Sequence, residues 1–239
     1  MKVLKFGGSS VANSENIQKV LAIVKRESKN EKVAVVVSAF GKTTDQLISA
    51  GNKALKNIAD AKETLETIKE LHDRIITDLI TTHKKEVSSE VAGLFKKLVS
   101  IYEGLYLLQE LSDKTVAKIS SFGERLSSLI IANAAKELFD ATHEESRKLI
   151  TTNNDYLNAQ VNFKITDVNI TSFFDKNKHQ VVFLGGFISS NSNHETTTLG
   201  RGGSDYSASI YAAALGAKEL QIWTDVSGMF TANPRVVKQ

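Results

Sequence analysis

The chain has 239 residues, enough for one large α/β domain or two smaller ones with a sizeable buried core. Its 41% hydrophobic and 24% charged content are ordinary for a globular protein, and a formal charge of +3 with interleaved lysines and acids excludes the basic stripe a nucleic-acid partner needs. The absence of cysteine excludes disulfides and thiolate metal sites, and no apolar run approaches membrane-spanning length.

Val3–Phe6 and Val33–Val37 are short β-rich runs of the kind that suits strands covered on both faces. Between them Ile17, Val20, Leu21 and Val24 recur at helical spacing, with Ser14 expected as the N-cap. This is a β-α-β unit, so the strands should be parallel and the crossover right-handed. The first strand carries Lys5 and runs into Phe6, Gly7, Gly8, Ser9 and Ser10. Those residues make either a plain strand-to-turn joint or an anion site of backbone N–H groups and an ammonium. After the second strand, Ser38, Thr43 and Thr44 either meet a ligand or cap the next helix.

From about Ala54 to Leu111 there is no strand signal and no proline. Ile58, Ala61, Leu65, Ile68, Ile75 and Leu79 step along one face, and Val87 to Leu108 continue the rhythm beyond a polar bend at "THKKEVSS". An antiparallel helical hairpin inserted at about 54–111 is expected, packing on the rest of the domain. "SFGERLSSL" then places Glu124 and Arg125 beside Gly123 at an expected helix start. "VVFLGG" (Val181–Gly186) and "LQIWTD" (Leu220–Asp225) repeat the strand pattern around a small-residue helix closed by Gly216. In "LGRGGSDYSAS", Arg201 offers a fork for a carboxylate, the glycines clear the backbone, Ser204 is the expected cap and Asp205 falls in the first turn. The five histidines are scattered and give no metal or triad arrangement. Strands alternating with helices predict a three-layer α/β/α fold with a mostly parallel sheet, and glycines gathered at strand ends point to the crevice beyond the carboxyl edge. Neither G-x-G-x-x-G nor G-x-x-x-x-G-K-[ST] is present.

Taken together, "KFGGSSV", "SFGER", "GRGGSD" and "WTDVSGMFTANPR" resemble, in order and spacing, the motifs of the amino-acid kinase superfamily, and within it the aspartate kinase family. The resemblance implies transfer of the ATP γ-phosphoryl group to the β-carboxylate of L-aspartate. It implies Lys5 and Asp205 as catalytic residues, with Ser38, Thr44, Glu124, Arg201 and Ser204 binding the amino acid. Lys5, Gly7, Gly8, Ser9, Thr224, Asp225, Phe230 and Arg235 would bind the nucleotide, and Mg²⁺ would enter with ATP, held by its phosphates rather than by a protein metal site. Other acceptors of the same fold (glutamate, N-acetylglutamate) and a non-catalytic assembly module are the alternatives. Asn233 stands where the family has aspartate and is left out of the site. The resemblance also implies a C-terminally incomplete amino-acid kinase domain over 1–239. A longer cytoplasmic homo-oligomer, carrying regulatory ACT or homoserine dehydrogenase domains, is the corresponding expectation. No nucleic-acid or membrane partner is expected.

Overall fold

A computed structural model describes residues 1–224. Asp225, Phe230 and Arg235 lie outside the described residues.

Among the described residues, five parallel strands form the central sheet: β1 (Lys2–Phe6), β2 (Val33–Val37), β3 (Ala141–Glu144), β5 (Val181–Gly185) and β8 (Glu219–Trp223), in the order β3-β5-β2-β1-β8. The first strand pairs with both β2 and β8, Lys5 standing opposite Val36 on one side and Ile222 on the other. The register explains the apolar runs, because alternate residues of a strand supply opposite faces. Leu4, Phe6, Val33, Val35, Val37, Val181 and Phe183 belong to one core. Val3, Ala34, Val36, Val182 and Leu184 belong to the other.

The first core is covered by α1 (Ser14–Glu27), α2 (Thr43–Ala54), α3 (Ile58–Leu79), α4 (Lys84–Leu108) and α5 (Asp113–Lys136). The second is covered by α6 (Phe163–Lys176) and α7 (Gly203–Ala214). A small sheet of β4 (Thr151–Thr152), β6 (Ile188–Asn191) and β7 (Thr196–Thr198) flanks the main one. The fold is therefore three-layered α/β/α, as the strand and helix pattern predicts.

The long apolar rhythm forms the expected hairpin, α3 followed by α4. The bend falls at Ile80–His83, and α4 begins within "THKKEVSS" at Lys84. Both helices drop their apolar faces into the first core, and Tyr102 donates a buried 2.8 Å hydrogen bond to the Leu47 carbonyl of α2. Glu137 at the end of α5 holds the bend by accepting from Thr81 and Thr82, backbone and side chain alike.

Several local expectations need correction. Asn13, not Ser14, caps α1: its side chain accepts from the Asn16 N–H, while Ser14 is already helical and donates to Asp78. Helix α7 has Gly202 at its N-cap in the left-handed region (φ +75°) and no side-chain cap, so Ser204 is a helical residue rather than the cap. The strands expected to reach Gly186 and Asp225 end at Gly185 and Trp223. Glu124 does not open a helix. It lies in the middle of α5, which begins eleven residues earlier at Asp113 and is buried on almost every side between Ile119 and Ala135. Gly123 reflects that burial: a Cβ there would lie 2.5 Å from Thr44 Oγ1 and 2.8 Å from Ala39 Cβ, so α5 can pass this close to the end of β2 only without a side chain.

Candidate active site

Strand alternation decides where Lys5 points. It shares its parity with Val3, so it faces the layer that contains α7 rather than the hairpin side. Asp205, in the first turn of α7, stands over the same strand end. Lys5 Nζ lies 2.7 Å from Asp205 Oδ1, and the lysine is only 8% exposed. The angle is that of a charge contact rather than a hydrogen bond. The ammonium therefore keeps donors for another anion.

Two glycines bring the other walls in. Gly186, just past β5, leaves room for α7: a Cβ there would sit 2.7 Å from Ser204 Cβ. Its own N–H is held by the Val37 carbonyl at 2.9 Å. On the opposite side α5 delivers Glu124, which is 5% exposed. Glu124 Oε1 accepts from the Ala39 N–H at 3.3 Å, whereas Oε2 is buried with no hydrogen-bond partner among the described residues. Burial pushes this carboxyl up to about 8. The Ala39 N–H opposes that, and the nearby Thr44 hydroxyl also favours the charge, although its geometry falls short of a hydrogen bond.

Lys5, Ser38, Thr44, Glu124, Ser204 and Asp205 line a single cavity of about 320 Å³. Its volume is at the lower end for small-molecule sites. The sequence-predicted amino-acid and catalytic residues thus converge, Arg201 excepted. Arg201 is exposed in the loop between Gly200 and Gly202, both at positive φ, and does not line the cavity. Ser9 and Thr224 line a second cavity of about 270 Å³ beside Phe6, α1 and Trp223. Gly7 donates to the Trp223 carbonyl at 3.3 Å. Gly8 opens a single 3-10 turn (Gly8–Val11), and its carbonyl accepts from Gly41 N–H. These two glycines stitch the ends of β1, β8 and the loop after β2 together.

Sequence reasoning missed Phe187. It lines the main cavity, and its backbone is left-handed at φ +65°, a costly conformation for a bulky side chain. The conformation is held by the Ser207 hydroxyl, which accepts from Phe187 N–H, and by Leu199 N–H, which donates to its carbonyl. Nothing in the sequence around it signals this strain. Among the described residues no group of three or more His, Cys, Asp or Glu is placed to hold a metal, and no helix is long and apolar enough to cross a membrane.

Known proteins share this arrangement of chain and sheet. The bifunctional aspartokinase/homoserine dehydrogenase of Buchnera aphidicola (subsp. Acyrthosiphon pisum, strain APS) is 34% identical over 247 residues, covering 99% of this chain and 30% of that protein. The aspartokinase of Chlamydia pneumoniae is 34% identical over 236 residues, covering 98% of this chain and 50% of that protein. This chain therefore spans half or less of the length of these two curated relatives. The crystal structure of E. coli aspartokinase III in complex with aspartate and ADP (R-state) superposes with a TM-score of 0.89 at 30% identity, covering 99% of this chain and 52% of that one. The lysine- and aspartate-bound T-state of the same enzyme gives 0.86 at 29% identity. The sequence profile described as the Amino acid kinase family runs from residue 1 to residue 239, and on that full-length match the chain belongs to the amino acid kinase family.

Proposed function

We propose that this chain carries the phosphoryl-transfer site of an aspartate kinase, acting on ATP and L-aspartate to give 4-phospho-L-aspartate. That reaction opens the route to lysine, threonine and methionine. The observation that carries the reading is Glu124: a buried carboxyl oxygen with no hydrogen-bond partner among the described residues, in the same cavity as an ammonium–carboxylate pair. A buried carboxylate in this state calls for a cation, and the ammonium of a free amino acid supplies one.

In this mechanism a β-carboxylate oxygen of aspartate attacks the γ-phosphorus of ATP. The bond from that phosphorus to the β,γ-bridging oxygen breaks, and ADP leaves with the electron pair. The attacking carboxylate is already ionised at neutral pH, so no general base is required. The chain's tasks are alignment and charge compensation. Lys5 neutralises charge on the transferring group, and Asp205 orients Lys5 from 2.7 Å. Ser38, Thr44 and Ser204 add hydrogen bonds to the amino acid, and Arg201 swings from the rim onto its α-carboxylate. Gly7, Gly8 and Ser9 contact the phosphates, while Thr224, with Asp225, Phe230 and Arg235, serves the nucleotide side. Mg²⁺ arrives with ATP. It would be held through the phosphate oxygens of ATP. The enzyme is taken to be cytoplasmic and homo-oligomeric, and its regulatory or dehydrogenase domains lie in a longer protein.

Acceptor choice follows from the same carboxylate. N-acetylglutamate has no free ammonium to offer Glu124, so aspartate or another free amino acid is favoured. Trapping the acyl phosphate with hydroxylamine over a panel of acids tests this, with aspartate expected to give the fastest turnover. Lys5→Ala is expected to lower that turnover about a hundredfold to a thousandfold, the scale of a lost oxyanion donor. Near-normal turnover in Lys5→Ala, or preference for another acid, overturns the reading.

A further inference from the structure

Phosphoryl transfer leaves one feature of the molecule unused. A groove of about 810 Å³ lies between α4 and α5 and is lined by Lys96 and Lys97 of α4, Lys118 and Arg125 of α5, and Arg147. It shares no lining residue with the cavity that holds Lys5 and Glu124. We propose that this groove is a second anion site, taking a di- or triphosphate group.

The charge balance is the first argument. Five cations line the groove and no acid does. One carboxylate touches them from behind: Glu145 Oε2 accepts from Arg125 Nε at 3.1 Å and from Arg147 Nη2 at 2.7 Å. The two guanidiniums thus share one oxygen, and the three lysines have no ion pair among the described residues. Five cations against one carboxylate leave about four charges uncompensated. The two sides of the pair report the same imbalance. Burial and the neighbouring Arg147 hold the Arg125 guanidinium below its usual range. Burial would raise the Glu145 carboxyl, yet the two arginines outweigh it and hold it below the usual carboxylate range. The anion is over-served and the cations under-served.

Two further observations point the same way. Arg147 Nη1 donates to Thr196 Oγ1 at 2.9 Å, but its Nε is buried without an acceptor among the described residues, and a buried charged donor is costly to leave unmade. Gly93 lines the groove from inside α4, where a Cβ would meet nothing within 4 Å. Glycine weakens a helix interior and has no packing reason here, and its effect is to keep that wall bare. A single carboxylate would offset one of the surplus charges. A di- or triphosphate brings several charges and a set of acceptor oxygens that suits guanidinium forks together with lysine point charges.

The test is calorimetric titration of inorganic pyrophosphate and tripolyphosphate, without Mg²⁺, into the 239-residue chain carrying Lys5→Ala, which removes the ammonium from the other cavity. The same titration is repeated after adding Lys96→Ala, Lys97→Ala and Lys118→Ala. These three lysines are exposed, and circular dichroism checks that the fold is kept. Binding is expected to persist in Lys5→Ala and to weaken by at least about tenfold in the combined variant. Sulfate should bind at least about tenfold more weakly than tripolyphosphate. In parallel, the Nε resonances of Arg125 and Arg147 should shift on pyrophosphate addition to Lys5→Ala. Equal affinity in the combined variant, no heat in Lys5→Ala, or sulfate binding as tightly as tripolyphosphate overturns the proposal.

Discussion

Replacing Glu124 by glutamine removes one ionisation and little else. The amide oxygen can still accept from the Ala39 N–H, and the side chain keeps its shape in the packed middle of α5. In the folded protein the carboxyl is raised from 4.5 to about 8 by burial. The folded state therefore binds the proton over a window in which the unfolded chain has lost it. Stability from this group is fully present below pH 4.5 and is lost as pH rises through 8. At 1.36 kcal/mol per unit, the shift corresponds to about 5 kcal/mol over the whole window and to about 3 kcal/mol already lost at pH 7. Urea unfolding followed by fluorescence of Trp223, the one tryptophan, should show Glu124→Gln gaining on the parent by about 3–5 kcal/mol between pH 5 and 8.5. The substrate should reverse the effect. An ammonium placed against Oε2 restores the charged form, so aspartate binding below pH 8 should release a proton. Calorimetry in buffers of different ionisation enthalpy detects that release, and Glu124→Gln should abolish it. A stability difference that does not change with pH would refute the reasoning.

Other consequences are simpler. His72 is fully buried between the rings of Phe40 and Phe95, and burial lowers it to about 4. Its contribution is present above pH 6.5 and lost as pH falls towards 4, so His72→Leu should flatten the acid side of the stability curve measured by urea unfolding. Glu137 at the hairpin bend is held at about 2 by its hydrogen bonds from Thr81 and Thr82. Its stabilisation is present above pH 4.5 and lost towards pH 2, and Glu137→Gln should lose that dependence when unfolding is followed by circular dichroism. Gly123→Ala should cost about 1–3 kcal/mol in urea, because the new methyl meets Thr44 and Ala39 well inside contact distance. Tyr102→Phe should cost about 1 kcal/mol for its buried hydrogen bond to Leu47.

Three of the strands that the sequence displays, β1, β2 and β5, are buried on both faces, and a continuous apolar run is their physical requirement, whereas β8 is only partly buried and is displayed by Leu220, Ile222 and Trp223 alone. The strands it hides are polar. β4, β6 and β7 read as "TT", "ISSN" and "TTT" because their buried hydroxyls bond to one another, Thr152 of β4 to Thr197 of β7 and Ser189 of β6 to Thr197. β3, "ATHE", buries only Ala141, and α6 buries only Thr166, Ile170 and Phe174, so neither carries a long apolar pattern. At the site, the motif resemblance names Lys5 and Asp205, and a strand end and a first helical turn fix the direction in which each points. Glu124 was singled out for a reason that the structure replaces: the glycine before it marks helix-to-strand packing, not a helix start. Arg201 shows the opposite gap, since a motif names a residue but not the rotamer it takes. The basic groove could not be seen at all, its five cations being spread over some fifty positions that only the packing of α4 on α5 gathers.

Strand β8, paired with β1 along its whole length, has a temporal consequence. The lysine and its aspartate partner are two hundred positions apart in sequence. A ribosome must therefore make the whole intervening stretch before the two can meet, and contacts so distant in sequence slow folding. Until then the nascent protein carries a half-made sheet with an open edge beside an unneutralised cation. The Lys5–Asp205 contact and the pairing of β8 with β1 should arrive together, as one late event.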